Sequence, residues 1–126
     1  MHPANKESLE RRVIAAAENA LLRQKYVSAI DVFTGMGVLA PDQVAGWRKG
    51  RPDFLERVIQ LNLKKIVLVM KTFRKWAADK GLHPSVTGYV GNTRWGKRDL
   101  QFSKSGDSSI ELDYRTHFVS PELPEL

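Results

Sequence analysis

The sequence contains no cysteine, which excludes both a disulfide framework and a thiolate metal site and fits a reducing compartment. No stretch approaches the ~20 apolar residues that a membrane-spanning helix needs. The residues from Met1 to Ser8 are charged and lack the apolar segment of a secretory signal. Export and membrane insertion are therefore not expected, and a cytoplasmic location is.

Catalytic and cofactor signatures are also missing. His2, His83 and His117 lie far apart in the chain, outside any HExxH-type ligand spacing. The nine glycines form neither GxGxxG nor GxxxxGK[ST], so no phosphate cradle for a nucleotide cofactor is predicted. Asp107, Glu111 and Asp113 cluster without a lysine at nuclease-like spacing and read as helix-start or surface acids. His117 next to Arg115 is the one pair suited to acid-base work on a phosphodiester, but an isolated histidine is more often structural. No cofactor or metal is expected, and a non-enzymatic role is favoured.

What the sequence does have is positive charge and helical periodicity. Its 126 residues are 42% hydrophobic with a net charge of +6, which suits one domain with one core. The charge is uneven: residues 1–106 carry 19 Lys/Arg against 9 Asp/Glu, net +10, whereas residues 107–126 carry net −4. A basic domain over residues 1–119 is expected to precede an acidic, proline-containing tail over residues 120–126. Such a field attracts polyanions, and the tail has the charge to fold back and compete with one.

Apolar residues Leu9, Val13, Ala16, Ala17, Ala20 and Leu21 recur at spacings of three and four after the capping types Asn5 and Ser8, predicting a helix to about Gln24. Ser28 caps a short second helix that Gly35 and Gly37 end, and Pro41 opens a third that runs through Trp47 to Gly50. From Asp53 to Asp79 no proline or glycine intervenes, so a long central helix with a bend near Asn62 is predicted. Beyond Pro84, Val86–Val90 and Leu100–Phe102 read as strands of a hairpin whose loop is Asn92–Lys97.

Residues 108–118 are ambiguous. They alternate like a strand, yet Ser108 with Glu111 forms a capping box and Glu111 with Arg115 a helical ion pair, which tips the reading to a short helix. The expected fold is α+β: an N-terminal bundle of about four helices with a long central helix, then a small β-hairpin and a short C-terminal element. Its predicted core is Leu9, Val13, Leu21, Ile30, Phe33, Leu39, Val44, Trp47, Leu55, Ile59, Ile66, Val69, Phe73, Trp76, Tyr89, Phe102 and Tyr114.

Three basic groups bear on function. The helix pair at residues 28–37 and 41–49 loosely suggests a helix-turn-helix, ending in Trp47-Arg48-Lys49-Gly50-Arg51. Its connection is long and glycine-rich, and its cations sit at the helix C-terminus, so a plain helical hairpin with a core Trp47 is the favoured reading. Arg57, Lys64, Lys71 and Lys75 fall on one face of the predicted central helix, either as a phosphate-tracking stripe or as its solvated side. Arg94-Trp95-Gly96-Lys97-Arg98 places an indole among three cations at the hairpin tip, where it can stack on a base or fold back under arginine stems. The expected function is binding of DNA or RNA through Arg48, Lys49, Arg51, Arg94, Lys97 and Arg98, with Trp95 stacking. The alternative is a protein-interaction module that uses Trp95 and the tail. Basic groups gathered on one face favour nucleic acid, and a large exposed apolar patch favours a protein partner.

Overall fold

A computed structural model describes residues 2–121. Helix α1 spans Pro3–Gln24, begun by the His2 ring accepting from the Ala4 N–H and by Pro3 at the first helical position. It therefore starts before Asn5 and Ser8, because proline there already has helical φ and no N–H to satisfy. Its periodic residues Leu9, Val13, Ala16, Ala17 and Ala20 are buried against α2 (Ala29–Gly35) and α4 (Leu63–Asp79). Ser28 and Asp31 form a reciprocal capping box at the start of α2. Helix α3 covers Pro41–Arg48.

The long helix predicted from Asp53 is shorter. Residues 55–58 form a single 3-10 turn, Ile59 is extended, and α4 begins only at Leu63, with the Asn62 side chain accepting from the Lys65 N–H. The predicted bend point is thus a helix start. Tertiary hydrogen bonding overrides periodicity here: the N–H groups of Leu55, Glu56 and Gln60 donate to the carbonyls of Gln101, Phe102 and Val38. Bonds made outside the segment leave no α-helical ladder to continue.

The strands also differ from expectation. Strands β1 (Tyr26–Val27), β2 (His83–Val86) and β5 (Thr116–Val119) form an antiparallel sheet in the order β1-β5-β2, with Tyr26 opposite Val119 and Val86 opposite Thr116. The predicted hairpin is present as β3 (Val90–Thr93) with β4 (Gly96–Asp99), its strands reaching into the predicted loop and its turn shortened to Arg94-Trp95. Of the runs expected as its strands only Val90 takes part: Val86 joins the other sheet, while Tyr89, Leu100 and Phe102 are buried at the hairpin base. Residues 108–118 resolve into both predicted forms, α5 (Ser108–Arg115) and then β5. Asp107, rather than Ser108, caps α5. Glu111 bonds Phe102 and Ser103 instead of closing the expected capping box.

The fold is mixed α+β, with five α-helices and two small antiparallel sheets among the described residues. All predicted core residues are buried except Leu21 and Ile30, which pack half-buried at its edge. Trp47, Tyr89, Phe102, Tyr114 and Phe33 form a continuous chain of ring contacts. Trp47 is fully buried and its indole N–H donates to the Gln101 carbonyl at 2.7 Å. Among the described residues no helix is long and apolar enough to cross a membrane. Residues 122–126, most of the predicted acidic tail, lie outside the described residues.

Candidate nucleic-acid interface

The hairpin stands directly against the end of α3. Gly91 carries no side chain because a Cβ there would overlap the Arg48 carbonyl and the Leu100 side chain, and Gly50 approaches Thr93 in the same way. The two-residue tip is Arg94-Trp95. Both keep negative φ and the left-handed residue is Gly96, φ 97°, the arrangement of a type I turn followed by a glycine bulge. The Thr93 hydroxyl locks it, donating to the Gly96 carbonyl at 2.9 Å and accepting from the Trp95 N–H at 3.2 Å.

A groove of ≈ 780 Å³ opens between these two elements, bounded by Lys49, Gly50, Arg51 and Asp53 on one side and by Asn92 to Trp95 on the other. A smaller depression of ≈ 240 Å³ adjoins it and shares Gly50, Asp53, Thr93 and Trp95, adding Arg98 and a second carboxylate, Asp99. Trp95 does not fold back into the core: it is 63% exposed. The Arg94 guanidinium lies 3.9 Å from its ring centroid and that of Arg98 5.7 Å away, both within cation–π range.

The seven predicted site residues are thereby sorted. Lys49, Arg51, Arg94 and Trp95 line the groove, and Arg98 lines the adjoining depression. Arg48 lies over the rings of Tyr89 and Trp47, 5.4 and 6.0 Å from their centroids. Lys97, paired with Asn92 across the hairpin, lines neither depression. The stripe on the predicted central helix is divided, because Arg57 belongs to the 3-10 turn. Lys71 and Lys75 instead line a separate depression of ≈ 510 Å³ against α1, and Lys75 pairs with Asp79 at 3.0 Å.

Asp53 is a groove residue that sequence reading assigned to a helix. The chain also holds two carboxylate anchors, buried Glu111 and half-buried Glu56. Glu111 accepts from the N–H groups of Phe102 and Ser103 and from the Ser103 hydroxyl, at 2.9, 2.7 and 2.6 Å. Glu56 accepts from the Tyr114 hydroxyl at 2.7 Å and the Lys104 N–H at 3.0 Å. Burial, reinforced by this bond to Glu56, pushes the Tyr114 phenol far above its ordinary value. Together the two anchors hold α5 and the 3-10 turn to the segment that leaves the hairpin.

His117, read from sequence beside Arg115, bonds instead to the Tyr89 hydroxyl through Nε2 at 2.6 Å and stacks on Tyr26. Burial lowers its pKa, with the Asp31 carboxylate opposing. Among the described residues no three His, Asp or Glu side chains are grouped to hold a metal ion. A separate apolar surface runs over Leu63, Val67 and Ile110, which line adjoining depressions of ≈ 800 and ≈ 220 Å³ between α4 and α5. No protein-family model matches the chain, nor does any curated protein or solved structure.

Proposed function

We propose that this protein binds nucleic acid, with the groove between the α3 C-terminus and the hairpin tip as its contact surface. The observation that carries this reading is the meeting of two basic segments, distant in sequence, around one exposed indole. Lys49, Arg51 and Arg94 contact phosphates, and Trp95 offers its ring to a base. Arg98 adds charge from the adjoining depression. The reading is testable by fluorescence anisotropy with labelled single- and double-stranded DNA and RNA at several salt concentrations. If the three groove cations each neutralise one phosphate, the log–log salt slope on a single strand is about −2, and a fourfold rise in salt costs roughly twenty-fold in affinity. The Arg51→Gln/Arg94→Gln double variant retains a slope of about −0.7. Absence of saturable binding at low salt, or a slope that the double variant leaves unchanged, overturns the proposal.

A second reading rests on the apolar surface of Leu63, Val67 and Ile110, whose larger depression also includes Arg57 and Lys104. It suits a peptide helix with apolar anchors and acidic flanks. A designed Leu/Glu amphipathic peptide that binds the wild type and not Val67→Glu supports this surface; equal binding to both rejects it.

A further inference from the structure

The groove contains a charge that phosphate binding does not explain. Asp53 borders both depressions among Lys49, Arg51, Arg94 and Arg98. Among the described residues it makes neither an ion pair with those cations nor a side-chain hydrogen bond. A free carboxylate beside a phosphate track repels the backbone it borders. A carboxylate is an acceptor only, so its natural partner in a bound nucleotide is an N–H group on a base edge.

The ring beside it limits how many bases enter. Two guanidiniums already lie within cation–π range of the indole, Arg94 at 3.9 Å and Arg98 at 5.7 Å from its centroid, so at most one face of Trp95 is open to a base. We infer that the groove takes a single unpaired base on Trp95 and that Asp53 selects bases carrying an exocyclic amino group. This rests on the nucleic-acid reading above. Cytosine presents its N4 amino group to a carboxylate, an established pairing of acidic side chains with bases. Uracil presents a carbonyl oxygen at the same position, which places acceptor against acceptor. The Asp53 carboxylate therefore penalises uracil and rewards cytosine, while Trp95 stacks on either.

Cytosine and uracil are close in size and stacking area, so comparing them isolates the edge contact. The experiment is anisotropy titration of labelled oligo-dC and oligo-dU of equal length, at one low salt concentration, with wild type, Asp53→Asn and Trp95→Ala. Wild type binds oligo-dC roughly ten-fold tighter than oligo-dU, within the range of a specific base contact. Asp53→Asn, which can turn its amide to donate to the uracil carbonyl, binds oligo-dU more tightly than wild type and brings the ratio close to one. Trp95→Ala weakens both oligonucleotides. Equal wild-type affinities, or a ratio that Asp53→Asn leaves intact, overturn the selectivity and leave the nucleic-acid reading standing. No binding to either oligonucleotide overturns both. Asp53 is exposed, and matching circular dichroism spectra and unfolding midpoints confirm that the variants are folded.

Discussion

Replacing Glu111 by glutamine tests the packing that places the groove. The residue is 7% exposed, and its two oxygens take three hydrogen bonds from the segment that leaves the hairpin: Oε1 from the Phe102 N–H, Oε2 from the Ser103 N–H and hydroxyl. Glutamine keeps the shape and converts one oxygen to an NH₂ group. If the amide oxygen stays on Ser103, its NH₂ meets the Phe102 N–H, donor against donor. If the amide flips, the Ser103 hydroxyl can turn and accept, but the Ser103 N–H loses its acceptor. In either orientation one buried backbone N–H is orphaned, at a cost of about 1–3 kcal/mol, and the remaining bonds lose their ionic character.

The expected loss is about 2–4 kcal/mol in all. With a urea m-value of about 2 kcal/mol/M, the unfolding midpoint followed by circular dichroism falls by about 1–2 M. Glu111→Leu costs more than Glu111→Gln, because it orphans all three donors while leaving them buried. A glutamine variant within about 0.5 kcal/mol of wild type, or a leucine variant more stable than wild type, refutes the reasoning. The same segment supplies the Gln101 carbonyl to the Trp47 indole, so a Glu111 variant that stays folded is also expected to bind nucleic acid more weakly.

Burial lowers the pKa of His117, so between its folded and unfolded values the unfolded chain binds more protons. Stability at this site is therefore full above about pH 6.5 and is lost as pH falls through the folded value. His117→Gln, whose amide can donate to or accept from the Tyr89 hydroxyl, flattens denaturation midpoints between about pH 7 and pH 5; an unchanged pH profile counts against the assignment. Gly91→Ala forces a methyl group into the Arg48 carbonyl and Leu100. It should destabilise by roughly 1–3 kcal/mol and open the groove, whereas an unaltered midpoint shows that the hairpin can shift at little cost. Trp95→Ala, at a position 63% exposed, changes stability by no more than about 0.5 kcal/mol while costing about 1–3 kcal/mol in single-strand binding. A large loss of stability would make the indole structural.

The helices were legible because apolar spacing reports directly which face is buried, as at Leu9, Val13 and Ala16 or at Ile66, Val69 and Phe73. The first part of the predicted central helix was not, since nothing local shows that the Leu55, Glu56 and Gln60 N–H groups are taken by carbonyls distant in sequence. Asn62 did signal the boundary, as a bend that turned out to be a cap. Strand β1 has only two residues and owes its existence to pairing with β5, so no periodicity could mark it. The hairpin and its tip were legible, but its strands were misplaced for a related reason: Val90-Gly91-Asn92-Thr93 and Gly96-Lys97-Arg98-Asp99 are polar and glycine-containing, weak strand formers held in register by docking on α3 rather than by propensity.

The same docking decides which charges act together. From sequence, Arg94-Trp95-Gly96-Lys97-Arg98 is one basic tip. In a strand, adjacent side chains alternate in direction, and of this pair Arg98 lines the depression beside α3 whereas Lys97 lines neither it nor the groove. Gly91 fixes the register: only at this position does the strand lie on the Arg48 carbonyl without a side chain intervening. Its partner across the ladder is Arg98, which borders the depression next to the groove, while Lys97, opposite Asn92, lines neither. A slip of one residue would exchange the two cations and move the strand off Gly91. The glycine, which bears no charge, thus sets which of two neighbouring cations borders the depression between the hairpin and α3.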